Sequence, residues 1–321
     1  MIRLDRLFNK ECIERISEST VLVNKGALSF DRKIRINIAA MGDVGGTLLL
    51  GLRLLGGEYI ESIGIYDLNE KVLRRYEREI NQVHYPDGRN VPRVDIISFD
   101  DVFSCDVFVF CATRGIPSLD NRGDVRMAQF EANRPLVELY ARKAADDRFN
   151  GIFAVVSDPV DPLCKAAVLA GADPARTRGY GLGVMNARAR YYAEKDSRFR
   201  SYLENGRAYG PHGEDLVICN DIYNYDDSIS RELTELAVKS NLVTREDGFK
   251  PYIAPAMSSA ALSILETVKG GWNYSSVYTG SVFLGCRNRI SGEYTEVENP
   301  VLDDSLYNRI SHAADNLRKV L

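Results

Sequence analysis

Residues 34–55 read IRINIAAMGDVGGTLLLGLRLL. The apolar run Ile34–Ala39 predicts a strand, and the leucine-rich run Gly45–Leu55 predicts a helix. Between them, Ala40-Met41-Gly42-Asp43-Val44-Gly45 is a G-x-G-x-x-G turn with Ala40 in the first glycine position. Gly42 lets the backbone approach a pyrophosphate, and Gly45 allows the helix to pack closely. The helix N-terminus adds free N–H groups and the positive end of a dipole. Taken alone, the motif also fits a generic tight turn. Its context points to a nucleotide: the next strand, Ser62–Tyr66, ends in Asp67, 22 residues past Gly45. A carboxylate there accepts from both ribose hydroxyls and repels a 2′-phosphate, so the expected cofactor is NAD rather than NADP. The expected cofactor contacts are Gly42, Asp43, Val44, Gly45, Asp67 and Ala112.

Outward from this stretch, strand and helix alternate. Glu70–Val83 reads as a charged helix capped by Asn69. Val94–Ile97 reads as a strand, and Val107–Cys111, apolar at consecutive positions, as a strand buried on both faces. A helix over Arg126–Ala145, interrupted near Pro135, and a strand over Phe153–Val156 follow. The fold class is α/β: a Rossmann doubly wound parallel sheet followed by a mixed α+β part. The second half carries helical patterns at 184–195, 228–240 and 256–269, short strands within 207–224 and 276–298, and a closing amphipathic helix. Ahead of the Rossmann strand, residues 3–18 carry Leu4, Leu7, Phe8, Cys12, Ile13 and Ile16 at helical spacing. A hairpin of Val21–Val23 with Ala27–Phe30 follows. The expected division is an N-terminal arm over 1–32, an NAD-binding domain over 33–175 and a substrate domain over 176–321. The arm packs on its own domain or on a partner subunit.

The composition is that of a globular protein: 321 residues, net charge −4, 45% hydrophobic and 27% charged. With no basic tract, nucleic acid is not an expected partner. No apolar stretch has the length of a membrane span, and the first residues do not form a signal peptide. Six scattered cysteines with no C-x-x-C pair point to reduced thiols and a cytoplasmic protein, without a disulfide frame or metal site. There are three histidines: His84 at a helix end, His212 in a glycine-rich turn and His312 on the closing helix. The sequence contains no G-K-[ST], H-E-x-x-H or G-x-S-x-G motif.

Three later segments, VSDPVD (156–161), VMNARARY (184–191) and GPHGED (210–215), follow the Rossmann start. Together they resemble the L-lactate/malate dehydrogenase family, which carries a VSNPVD-like turn, an LDxARFR-like helix and a GxHGD-like segment in this order. The resemblance implies an NAD-dependent interconversion of a 2-hydroxy and a 2-oxo acid. His212 would serve as acid/base at the C2 oxygen, Arg188 as the carboxylate clamp and Arg126 as the group that polarises the carbonyl. From the residues alone, a buried arginine on the apolar helix 184–195 wants an anion, either a ligand or an internal carboxylate. The resemblance also implies a homo-oligomer, a dimer or tetramer.

Three departures stand out. The family's aspartate, three residues before the clamping arginine, is Met185 here, so the usual carboxylate partner of the imidazole is missing. The asparagine of the NPVD-like turn is Asp158, which is expected to supply that carboxylate instead. The loop after Cys111 is longer than in the family and places Asp120 at the specificity position, with Arg122 and Arg114 close by. Neither malate nor lactate follows from that loop, and a 2-oxo acid with a polar or cationic side chain fits as well. The alternative function is a catalytically reduced NAD-binding relative with a sensor or structural role.

Overall fold

A computed structural model of the chain describes residues 2–114 and 125–321. The N-terminal segment corrects the expected helix and hairpin. It forms strand β1 (Ile2–Arg3), two 3-10 turns (Leu4–Leu7 and Lys10–Cys12), strand β2 (Ile13–Ile16) and strand β3 (Thr20–Val23). The reason is where each apolar side chain finds cover. Leu4, Leu7 and Phe8 are buried with Leu306 and Ile310 near the other end of the chain, whereas Ile16 is exposed. No continuous stripe at helical spacing is left to bury. In β3, Val21 and Val23 face the core while Thr20 and Leu22 are half-buried, a period of two. The hairpin joins β2 to β3, one strand earlier than expected, and Ala27–Phe30 forms no strand.

From residue 34 the expected alternation appears. Strand β4 (Ile34–Ala39) leads into helix α1 (Asp43–Leu55), and β5 (Ile60–Tyr66) into α2 (Glu70–Asn81). Asn69 caps α2 by accepting from the Lys71 N–H at 3.1 Å. Then come β6 (Arg93–Ile96), β7 (Val107–Phe110), α3 (Val125–Asp146), β8 (Ile152–Val155), α4 (Val160–Leu169) and β9 (Thr177–Gly179). These six strands are parallel and lie in the order β6-β5-β4-β7-β8-β9. That is the doubly wound Rossmann order, with its switch point between β4 and β7. The consecutive apolar residues of β7 divide between two buried faces. Val107 and Val109 pack with Leu48, Leu49 and Leu52 of α1, and Phe108 and Phe110 with Phe130 and Tyr140 of α3. The expected interruption of α3 does not occur. The helix runs on through Pro135, because its apolar face, from Phe130 to Val137, Tyr140, Ala141 and Ala144, is buried on both sides of the proline.

The second half holds α5 (Leu182–Lys195), α6 (Tyr202–Asn205), the hairpin of β10 (Arg207–Tyr209) and β11 (Val217–Cys219), and α7 (Asp227–Glu246). A π-helical segment (Pro255–Ala261) precedes α8 (Leu262–Lys269), so the helix expected at 256–269 is α-helical only in its second part. Strands β12 (Asn273–Tyr278), β13 (Phe283–Ser291) and β14 (Tyr294–Glu298) are antiparallel, and β15 (Val301–Leu302) and α9 (Asp304–Arg318) end the chain. One 11-stranded sheet runs through both halves, because β12 pairs with β9 at Ser276 and Gly179, and β3 and β2 extend its far edge beyond β14.

Candidate active site

The turn after β4 has the geometry that the motif implies. Ala40, in the first glycine position, adopts the left-handed conformation with φ 75°. A side chain on Gly45 would collide with the Ala40 carbonyl, so only glycine lets α1 start this close to the turn. The N-cap of α1, Gly42, makes no side-chain cap bond, which leaves the first-turn N–H groups without a side-chain acceptor there. Asp67 accepts from the Met41 N–H at 2.7 Å through one oxygen and from the Asn69 N–H at 2.8 Å through the other. It thereby ties the end of β5 to the glycine turn. Asp43 is exposed on the first turn of α1 and pairs with Lys250 at 3.0 Å.

At the carboxyl ends of β4, β7 and β8 lies a cavity of about 140 Å3, lined among others by Val44, Gln129, Asp158, Val184, His212 and Ser259. It opens at the switch point of the sheet, where ligands of such folds bind. The VSDPVD turn forms one wall, and its Asp158–Pro159 peptide is cis. Ser157 donates to the Ala112 carbonyl at 2.7 Å, and the buried Asn133 of α3 donates to the Asp158 carbonyl at 2.8 Å. Asn133 also accepts from the Arg114 N–H at 3.0 Å. One helix residue therefore holds two loop backbones at the cavity wall.

His212 and Asp158, 54 residues apart, meet here: Nδ1 lies 3.0 Å from Oδ1 of Asp158. The His212 Nε2 is buried and has no hydrogen-bond partner. Burial pushes the Asp158 carboxyl up, but the His212 ring, with Arg126 and Arg188 nearby, outweighs this and holds it below the usual carboxylate range. An ionised carboxylate can only accept, so Nδ1 carries the proton of this bond and Nε2 is the ring's working atom.

Met185 is buried on α5, and its sulfur lies 3.6 Å from the Arg188 guanidinium. Arg188 is 8% exposed and also donates to the Ala237 carbonyl at 3.4 Å. Among the described residues no carboxylate lies within ion-pairing distance of it. Burial lowers its pKa, and the charge of Asp158 opposes that. Arg188 stands one helical turn beyond Val184, a cavity residue.

Arg126 is not among the residues that line this cavity. It donates to the His212 carbonyl and faces a second cavity of about 300 Å3, behind His212, with Asp161, Glu214 and Asn316. Asp161 is 3% exposed, and one of its oxygens has no hydrogen-bond partner. Burial pushes its carboxyl up to about 6, although Ser276, Arg126 and His212 pull the other way.

Asp120 and Arg122 lie outside the described residues. His312 borders a wider surface cleft of about 730 Å3 between α7 and α9, which none of the described sequence-predicted site residues lines. Among the described residues no group of three or more His, Cys, Asp or Glu side chains is placed to hold a metal, and no helix is long and apolar enough to cross a membrane. Sequence reading missed Gln129 and Ser259, and used Asn133, seven residues after Arg126, only as a landmark without a role of its own. Ser259 donates to the Gly181 carbonyl at 2.7 Å and accepts from the Val184 N–H at 2.8 Å, which fixes the start of α5.

No family model matches the chain. It is 27% identical to an L-lactate dehydrogenase of Treponema denticola over 186 residues, a match that spans 57% of this chain and 56% of that relative's own length. An L-lactate dehydrogenase of Corynebacterium jeikeium is 22% identical over 319 residues, 89% of this chain and 93% of the relative. Among solved structures, a lactate dehydrogenase from a deep-sea metagenome (MGS-M5) superposes with a TM-score of 0.72 at 18% identity, covering 90% of this chain and 98% of its own. The malate dehydrogenase of Aeropyrum pernix does so with a TM-score of 0.74 at 17% identity, covering 89% and 96%. The chain is thus similar in sequence to L-lactate dehydrogenases and shares its fold with lactate and malate dehydrogenases.

Proposed function

We propose that the protein is an NAD-dependent oxidoreductase that interconverts a 2-hydroxy acid and a 2-oxo acid. The carrying observation is the His212–Asp158 pair at 3.0 Å, with the buried Nε2 left without a partner beside the cavity. In this reading Asp158 stabilises the imidazolium from the Nδ1 side, the task for which Met185 has no carboxylate. Nε2 gives a proton to the C2 oxygen in reduction and takes it back in oxidation. The Arg188 guanidinium, buried without an ion-pair partner among the described residues, holds the substrate carboxylate. Arg126 polarises the C2 carbonyl after its guanidinium leaves the His212 carbonyl for the cavity.

The glycine turn fits a dinucleotide. It has open space over the Gly42 backbone, close packing of the helix at Gly45, the uncapped first turn of α1 at Asp43 and Val44, and a carboxylate at Asp67 whose oxygens each keep a lone pair for a ribose hydroxyl. Ala112 follows the end of β7, the neighbour of β4, on the same side. Bound NADH would supply the hydride.

The second reading, a catalytically reduced NAD-binding relative, draws on Met185 alone, and the Asp158 pairing weighs against it. NADH binding followed by fluorescence, then NADH consumption across a panel of 2-oxo acids, tests both. Binding with turnover of at least one acid is expected. Binding without turnover of any acid supports the second reading, and no binding overturns both.

A further inference from the structure

Helix α3 presents Arg126, Gln129, Phe130 and Asn133 on one face, at spacings of three, four and seven residues. Asn133 is bonded to the backbone of Asp158, which fixes this face over the VSDPVD turn. Gln129, one turn earlier, lines the cavity together with Asp158 and His212. The other polar groups of the cavity wall are already engaged. Ser157 bonds Ala112, Ser259 bonds Gly181 and Val184, Tyr180 bonds Thr267, and Thr113 has a partner of its own. His212 and Asp158 are bonded to each other and serve the reacting oxygen. Among the described residues that line the cavity, the half-buried Gln129 amide is the remaining polar side chain that makes no hydrogen bond.

Resting on the oxidoreductase reading above, we propose that Gln129 is a specificity-determining residue. It hydrogen-bonds the substrate side chain and selects 2-oxo acids whose short side chain ends in an uncharged polar group, above all a carboxamide. A primary amide offers one acceptor and two donors, so its best complement is another group that both donates and accepts. A hydrocarbon side chain would take water from the Gln129 amide and give nothing back, which is costly for a buried polar group. A second carboxylate on the substrate would sit near the ionised Asp158, while Arg126 and Arg188, the arginines nearby, are committed to the C2 carbonyl and to the first carboxylate. A cavity of about 140 Å3 admits only a few heavy atoms beyond C2.

Three acids with side chains of equal heavy-atom count separate these cases: 2-oxosuccinamate (carboxamide), 4-methyl-2-oxopentanoate (hydrocarbon) and oxaloacetate (carboxylate). The experiment measures kcat/KM for each with NADH, in the natural protein and in Gln129→Leu. Gln129→Met serves as a second, unbranched variant, and thermal unfolding confirms that both fold. The expected result is a preference of the natural protein for 2-oxosuccinamate over both other acids by about tenfold or more. Both variants should bring the carboxamide-to-hydrocarbon ratio to one or below. A ratio that stays within about twofold of the natural protein's in both variants overturns the role of Gln129, while turnover itself keeps the oxidoreductase reading standing. A natural preference for the hydrocarbon or for oxaloacetate overturns the proposed substrate class. If NADH binds and none of these or any other 2-oxo acid is consumed, the oxidoreductase reading falls and this inference falls with it.

Discussion

Asp158 and Asp161 stand three residues apart in one turn, and their surroundings push them in opposite directions. The imidazole at 3.0 Å keeps Asp158 ionised through the neutral range. Asp158→Asn keeps the shape and removes the charge. Reduction of a 2-oxo acid should then slow by about tenfold or more, since positioned acid–base groups contribute 10²–10⁴. The pH above which reduction fades should also move down by about 1–3 units. A full pH–rate profile checks this, and an unchanged profile would show that the carboxylate does no work on the ring. Asp161 is raised to about 6 by burial. Its folded pKa lies above its unfolded value, so the folded state binds the extra proton and stability from this group is lost as pH rises from about 4 to about 6. The shift of about two units corresponds to about 3 kcal/mol. Asp161→Asn should therefore stabilise the protein at pH 7 to 8 and do little at pH 4, as urea unfolding at the two pH values would show.

At this scale the sequence displayed the unusual residues but not their partners. Met185 and Asp158 could be recognised as paired departures because each sits in a recognisable segment. Asn133 is marked by its place seven residues after Arg126 but not by its task, and nothing marks Gln129, since what each does comes from the face of α3 that packing turns towards the cavity.

Among the elements, the β4–turn–α1 unit was legible because its glycines are demanded by backbone geometry, and geometry leaves a local signature. Its one irregular residue carries a prediction. Ala40 holds φ 75°, a conformation that costs an L-residue about 1–2 kcal/mol. Glycine has no such penalty but loses more freedom on folding. Ala40→Gly should thus raise stability by about 0.5–1 kcal/mol, measurable as a shift of the urea midpoint at constant slope. The N-terminal segment was misread for the converse reason. Its apolar spacing fits a helix, but its partners, Leu306 and Ile310, come from the far end of the chain, and no local pattern announces them. Pro135 teaches the same lesson: local chemistry predicts a break in α3, and the burial of residues on both sides of the proline overrides it.

Over the whole molecule, a single sheet gathers the first and last parts of the chain. β3 borders β14 and carries β2 on its far side, and β1 pairs with β15 in a separate two-stranded ladder. Leu4 is fully buried in the cluster that α9 completes. Leu4→Ala, although only four residues from the start, should cost about 2–5 kcal/mol, as in any well-packed core. Urea unfolding checks this, and a loss below about 1 kcal/mol would mean that the segment is merely draped on the surface.

The same pairing sets an order of events during synthesis. Residues 2–23 leave the ribosome long before they find their places, because β3 has no neighbour on its inner side until Tyr294–Glu298 has been made. At about 5–20 residues per second, Leu4, Leu7 and Phe8 wait roughly a quarter of a minute to a minute with their apolar surfaces uncovered. A chain that stops before residue 294 can fold its Rossmann strands yet can never seat its own beginning. Such prematurely ended chains would expose the apolar residues of this early segment rather than only those at their cut ends.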